Sequence, residues 1–371
     1  MNVPFFDYPH IYERNKEELL KIFDEVCSRG AFILQRDLEE FETSLAEFLN
    51  AKYAIGLADG TNAISLGLRS RGIGEGDEII IASHTYIATA AAIREVGGTP
   101  VFADIDDDFM LCPKSAEEQI TEKTKAIMVT QLNGRCCDME KFAKICSEKN
   151  IDLYEDSAQG LGASYRGKKA ATFGKFGTIS FYPAKVLGCF GDGGALVTND
   201  DDVADFVSLY RDHGRDQQGK VIAWGSNCRL DNLQAAFLNF RLKNYSEDMT
   251  RRRAIATKYC DGLKDIEEVY LPPSPDSDTH FDVYQNFEVA FERREELKGY
   301  LLEKGIRAIP QWNGTPVHHF EKLGYGKQKF SHLPKTDWFF DRCLMLPMNM
   351  SISDEQVNYV VRSISDFYSK T

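Results

Sequence analysis

"YAIGLADGTNAISLGLRSRG", residues 53 to 72, joins a five-residue apolar run to a helix-like segment through a polar turn that contains Asp59 and Gly60. A strand that feeds directly into a helix is the opening of a parallel βαβ unit. The same alternation repeats outward along the chain. Apolar runs at 78–83, 99–105, 126–130, 151–156 and 177–182 read as strands, and segments 61–71, 86–96, 114–121 and 138–149 between them read as helices. Strands separated mostly by helices predict an α/β fold, a mainly parallel sheet covered on both faces. Two helices precede it, marked by Leu19, Leu20, Phe23 and Val26 and by Leu38, Phe41, Leu45 and Phe48 at helical spacing. The pattern changes after about residue 240. A long charged helical segment, roughly 232–265, leads into the proline cluster "LPPSPDSD" (271–278) and a strand-like "VYQNFEVAF". The expected division is a large domain over 1–245 and a smaller C-terminal α+β domain over 246–371.

Composition narrows the function classes. The chain has 371 residues, 43% hydrophobic and 27% charged, with a net charge of −13. Phosphate neutralisation on nucleic acid needs clustered Lys and Arg, and "TRRRA" at 250–254 is only a short helix patch, so no nucleic-acid partner is expected. The most apolar window, 78–93, carries a histidine and several hydroxyls and is too short for a membrane span. Nine cysteines without CxxC spacing, and no apolar leader in "MNVPFFDYPHIYERNKEELL", predict a reduced, cytoplasmic protein with no membrane partner.

Ligands of parallel sheets gather at the carboxyl ends of the strands. Four such ends carry chemistry here. "LADGTNAI" puts the amides of Gly60 and Thr61, with the Thr61 hydroxyl, at a helix N-terminus suited to phosphate, although a Gly-Thr turn also caps helices that bind nothing. "SHTYIATA" offers Tyr86, a stacking face or a core ring. "LYEDSAQG" ends a strand on Asp156, with Gln159 following; the carboxylate is a helix cap or a partner that keeps a ring nitrogen protonated. "TISFYPAKVLGCFGDGGALVTND", 178–200, places Ser180 and Lys185 between an apolar run and a glycine loop. A lysine in apolar surroundings has a lowered pKa and reacts with carbonyls; a lysine after the Pro183 turn could equally lie on the surface. Together these four are the parts that pyridoxal phosphate requires of a protein: an anchor, a stacking ring, a carboxylate and a carbonyl-reactive amine.

"ADGTNAISLGL", "SHTYIATAAAI", "YEDSAQ", "SFYPAKVLGCFGDGGALVTND", "WGSNCRLDNLQAAF" and "LPMNMSISDEQV", in this order and spacing, resemble the DegT/DnrJ/EryC1/StrS family of sugar aminotransferases. The resemblance runs from about residue 15 to the C-terminus. It implies the fold-type-I aspartate aminotransferase architecture, a homodimer with two shared active sites, and pyridoxal 5'-phosphate alternating with pyridoxamine phosphate. By the same resemblance Lys185 matches the lysine of the internal Schiff base, Ser180 and the Gly60–Thr61 turn bind phosphate, and Tyr86 stacks on the cofactor. Asp156 matches the partner of the pyridinium nitrogen and Gln159 a residue at the cofactor face or 3-hydroxyl. Asn227 matches an asparagine that reaches the phosphate of the neighbouring subunit, Arg229 its neighbour, and His318 a histidine near substrate.

The implied reaction moves an amino group from glutamate to a keto carbon of a nucleotide-diphosphate-linked deoxy-sugar, for surface polysaccharide or glycoconjugate biosynthesis. "SFYPAK" and "GCFGDGG" stand where many relatives read "SFHxxK" and a TGEGG-type loop, closer to members that aminate C3 than to those that act at C4. "VTQLNGRCCD" also departs from the histidine-rich form usual before its glycine. Two alternatives keep the fold. Sugar dehydratases of this type replace the lysine with histidine, whereas Lys185 is present; a non-catalytic regulatory relative would be expected to lose Lys185, Asp156 or Ser180, and all three stand.

Overall fold

Tyr53–Leu57 (β1) is a strand and Gly60–Ser70 a helix, joined by the Ala58–Asp59 turn. The computed structural model describes residues 1–275, 277–326, 329–330 and 332–369. Glu78–Ala82 (β2), Thr99–Ala103 (β3), Thr124–Thr130 (β4) and Asp152–Asp156 (β5) follow, each where the apolar runs predicted it. A short ribbon of Ser164–Tyr165 (β6) and Lys168–Lys169 (β7) precedes Gly177–Ser180 (β8) and Gly194–Thr198 (β9). Seven strands form the main sheet in the order β1, β9, β8, β5, β4, β2, β3. Pairings from β8 to β3 are parallel, and β9 runs antiparallel to both β1 and β8. The sheet is therefore mainly parallel, as the alternation implied. β9 itself was not among the expected strands.

Both faces of the sheet are covered, and the period of two along each strand sorts residues between them. Ile80, Ile127, Val129 and Ile179 pack under the helix Arg36–Leu49, through Leu38, Phe41 and Leu45. Ile79, Ile81 and Met128 face the opposite way, toward Ala63, Ile64 and Leu68 of the helix after β1. Phe181, fully buried just beyond β8, meets Phe41 edge to face at 5.3 Å. Burying a phenylalanine is worth about 1.5–3 kcal/mol, so this pair ties the Ser180–Lys185 segment to the sheet's helical cover.

Beyond residue 244 a second core gathers around an antiparallel sheet of Val269–Tyr270 (β10), Phe287–Phe291 (β12) and Cys343–Leu346 (β13). His280–Phe281 (β11) instead joins the β6–β7 ribbon of the large sheet's periphery. The helical stretch expected over 232–265 is two helices, Asn232–Lys243 and Tyr245–Leu263. Asn244, at φ −106° and ψ 9°, leaves helical geometry and breaks it. The N-terminal residues cross to this second core, where buried Val3 bridges Ile306. Among the described residues no helix is long and apolar enough to cross a membrane. Among the described residues no disulfide joins any of the cysteines.

Candidate active site

A cavity of about 990 Å³ opens where β1, β2, β4, β5 and β8 end, between the large sheet and the C-terminal core. Gly60, Thr61, Tyr86, Asp156, Gln159, Ser180 and Lys185 all line it. Residues scattered over more than a hundred positions converge because parallel strands release their chains at one edge.

One end of the cavity is built for an anion. Asp59 caps the helix Gly60–Ser70, its carboxylate accepting from Asn62 N at 2.8 Å. That bond takes the third helical amide and leaves those of Gly60 and Thr61, which no helical carbonyl can reach, at the positive end of the helix. Ser180 stands opposite: a Cβ at Gly60 would lie 3.0 Å from the Ser180 Cβ. The approach is this close because β9 begins against the same turn, where a Cβ at Gly194 would lie 2.4 Å from the Asp59 carbonyl carbon.

Asp156 is buried at the far wall, and the alternation of β5 sends its neighbour Glu155 to the other face of the sheet. There Glu155 accepts from the amides of Ala171, Phe173 and Gly174 and serves the core. Asp156 receives the Ala158 amide at 3.1 Å and the Thr89 hydroxyl at 2.6 Å. Thr89 lies 2.7 Å from Thr85, and Thr85 lies 2.9 Å from Thr130. Thr89 donates to Asp156 and each hydroxyl has one proton, so the chain runs from Thr130 through Thr85 and Thr89 to Asp156.

Lys185 is partly buried at the cavity wall, and its surroundings push its ammonium down to about 8, burial outweighing the nearby Asp156 charge that favours the cation. At pH 7 roughly a tenth of the amine is then neutral, far more than for an ordinary exposed lysine. Gln159 accepts from the Asn133 amide at 2.7 Å, which fixes its oxygen and leaves its NH2 as the group to offer the cavity. Tyr86 is 54% exposed, in the cavity mouth, with its ring 6.1 Å from that of Trp312.

Three expected residues lie elsewhere. Asn227 is exposed and its backbone bridges Asp212. Arg229 donates to the Asp212 carboxylate at 2.6 Å, and its backbone bridges Leu57 at the end of β1. His318 is fully buried, with Nδ1 2.6 Å from the Ser83 hydroxyl and Nε2 3.1 Å from Asp337. None of the three lines the cavity of its own chain.

Other lining residues were not singled out beforehand. Thr85 and Thr130 had only the hydroxyl content of their strand ends to mark them. Gln285, Asn286, Lys298 and Trp312 come from the C-terminal part, where strand-to-helix alternation no longer tells which residues face the cavity. Trp312 and Asn313 hold positive φ, 44° and 59°, in the "QWNG" turn. A bulky residue in that region is uncommon and turns its ring toward Tyr86.

The model of the DegT/DnrJ/EryC1/StrS aminotransferase family matches residues 13–365. A pleiotropic regulatory protein of Geobacillus stearothermophilus is 36% identical, with 99% of each chain covered. The dTDP-3-amino-3,4,6-trideoxy-alpha-D-glucose transaminase of Streptomyces venezuelae is 35% identical over 98% of this chain and 96% of its own. The structure of S. venezuelae DesV in complex with a ketimine intermediate superposes with a TM-score of 0.94 at 34% identity, covering 100% of this chain and 99% of that one. With the match unbroken from the first helices to the last, the chain belongs to the DegT/DnrJ/EryC1/StrS aminotransferase family.

Proposed function

We propose that this aminotransferase uses pyridoxal phosphate to move an amino group from glutamate to a keto carbon, C3 in preference to C4, of a nucleotide-diphosphate-linked deoxy-sugar, in the making of surface polysaccharides or glycoconjugates. The observation that carries the reading is the convergence in one cavity of Lys185, of Asp156 bonded to the Thr89 hydroxyl, and of the Gly60–Ser180 cradle. The C3 preference is supported by the relative that acts on a 3-amino sugar, and by "SFYPAK".

The cavity fits the cofactor. The uncommitted amides of Gly60 and Thr61 and the Ser180 hydroxyl would take its phosphate, Asp156 its ring nitrogen, Gln159 its ring face or 3-hydroxyl, Tyr86 a ring face and Lys185 its aldehyde carbon. When bound, pyridoxal phosphate supplies an electron sink and a temporary carrier for the amino group. Asp156, which accepts from the Thr89 hydroxyl and the Ala158 amide, would face the ring nitrogen and favour its protonated form. Lys185 Nζ, with its pKa near 8, both gives and takes a proton near neutral pH and is placed to shuttle it across one face of the site. The remaining space, walled by Lys298, Asn286 and Trp312, leaves room for a sugar nucleotide.

The site is completed, in this proposal, by a second copy of the chain. The arm 212–227 is tied at its base by the Asp212–Asn227 bridge and carries Val221, Ile222 and Trp224 outward, Trp224 at 96% exposure. Such an apolar tip needs a partner surface. A dimer that covers it would let exposed Asn227 reach the partner's phosphate site. Incubating purified protein with UDP-, dTDP- and GDP-linked 3-keto and 4-keto sugars and glutamate, with product regiochemistry by NMR, tests the reading. Formation of 2-oxoglutarate and a 3-amino sugar is expected; amination at C4 alone overturns the C3 assignment.

A further inference from the structure

The lysine of a cavity wall is useful only if its backbone is held, and the backbone around Lys185 is held from outside its own domain. Gln285 lies between β11 and β12, in the C-terminal part, and is 6% exposed. Its Oε1 accepts from Val186 N at 2.8 Å and its Nε2 donates to Ala184 O at 2.8 Å. The Ala184 carbonyl and the Val186 amide, one on each side of Lys185 in this turn-and-bend segment, both face the Gln285 side chain, so one planar amide engages both at once. Glutamine supplies a donor and an acceptor in that plane; a carboxylate supplies only acceptors.

The surrounding contacts make the grip specific to this residue. Lys185 N bonds Tyr182 O at 2.8 Å, closing a turn before the lysine. Arg241 bonds Val186 O at 2.9 Å and also Gly188 O, closing the segment after it. Gln285 takes the Ala184 carbonyl and the Val186 amide, one on either side of Lys185. Gln285 is itself fixed: buried Arg252 donates to the carbonyls of Tyr284 and Gln285 at 2.9 and 3.0 Å. On the other side Gly134 packs so closely that a Cβ there would lie 2.9 Å from Gln285 N.

We propose that Gln285 is the positioning residue for Lys185, clamping the backbone on either side of it so that the placement of the C-terminal core sets the lysine's direction and its shelter from water. The proposal rests on the reading of Lys185 as the cofactor-bearing lysine. Loss of the clamp frees the Val186 amide and lets water reach the Lys185 nitrogen, so the nitrogen's cationic form becomes easier to keep.

The test compares wild-type holoenzyme with Gln285→Ala and Gln285→Glu. Hydrogen exchange followed by mass spectrometry should show the Val186 amide exchanging at least about 10-fold faster in Gln285→Ala. The pH midpoint of the visible cofactor band should rise by about half a unit or more. Turnover should fall about 10-fold or more with KM for the keto-sugar changed less than about 3-fold. Gln285→Glu regains a donor only when its carboxyl is protonated, so its deficit relative to wild type should shrink as pH falls. If Gln285→Ala does not fold, this glutamate variant carries the test. A folded Gln285→Ala protein with full cofactor content, unchanged Val186 exchange and an unmoved midpoint overturns the proposal, even if turnover falls. Gln285→Glu with a deficit independent of pH does the same. If wild-type protein shows no borohydride-sensitive cofactor band, the reading of Lys185 fails instead, and the exchange measurement still reports on the clamp.

Discussion

Protein closing round an ammonium removes hydration that the cation needs, and Lys185 shows the result as a pKa near 8 in place of 10.5. Such an amine attacks carbonyls at neutral pH where a surface lysine would be almost wholly charged. Lys185→Ala should therefore abolish borohydride-trapped cofactor, read by mass spectrometry of the intact chain; a trapped adduct on another lysine would sink the assignment. If Asp156 pairs with the cofactor ring nitrogen as proposed, Asp156→Asn should lower kcat/KM by orders of magnitude while cofactor still binds. Near-normal turnover in that variant would refute its role. Thr89→Val tests the support beneath it, since it removes one charged hydrogen bond of 2.6 Å and leaves the donor chain from Thr130 without its last link. A bond of that kind is worth about 1.5–3 kcal/mol, so a loss of roughly 10- to 100-fold in turnover is expected, smaller than that of Asp156→Asn. Asp156 and Ser180 could be singled out because they close apolar runs, and Lys185 because it stands between such a run and a glycine loop; the cavity brings the three together. The threonines were not, since a hydroxyl's partners depend on strands brought together from distant sequence.

Elements were legible where periodicity was unbroken. β1 to β5 appear as apolar runs because buried parallel strands need side chains for both faces, and the helices between them appear at their own period. β9 escaped because its first residue, Gly194, closes a glycine loop and reads as turn, and because an antiparallel strand here needs no preceding helix. The break at Asn244 escaped because apolar and charged residues continue at helical spacing across it. Gly194 nevertheless matters to the site: a Cβ there would lie 2.6 Å from Gly60 N as well as 2.4 Å from the Asp59 carbonyl carbon. Gly194→Ala must push β9 away from the Asp59–Gly60 turn. Overpacking of this kind costs about 1–3 kcal/mol, so a Tm fall of several degrees and weaker retention of the cofactor on dialysis are expected together. The segment Val317–His319 gives an independent check on an element that the sequence placed at substrate. Burial, with His319 beside it, pushes His318 down to about 4 from 6.5. The unfolded chain then takes up the proton first as pH falls, so this contribution to stability is lost from about pH 6.5 toward 4. Melting temperature should decline through that window, and less steeply in His318→Gln; equal slopes would show that His318 does not govern it.

At the scale of the whole molecule the unexplained surface is the arm that carries Trp224, and the unexplained residue is Asn227, exposed and away from its own cavity. Both are accounted for if two chains pair so that each arm reaches the other's site, and sharing of a site has a consequence that no arrangement of independent chains can copy. Consider Lys185→Ala and Asn227→Ala chains, each poorly active alone. In a mixed dimer with shared sites, one site combines Lys185→Ala with Asn227→Ala and is dead, while the other combines two intact contributions. Mixing should then raise turnover well above either parent, toward one working site per mixed dimer. If every site is built from one chain, each site of the mixed dimer keeps its own defect, and mixing gives no more than the average of the parents. The measurement needs differently tagged chains, refolded or co-expressed together, with the mixed species isolated through both tags and the Asn227→Ala defect first shown to be severe. A mixed dimer no more active than the average of its parents would place Asn227 outside the partner's site and leave the exposed arm to some other surface.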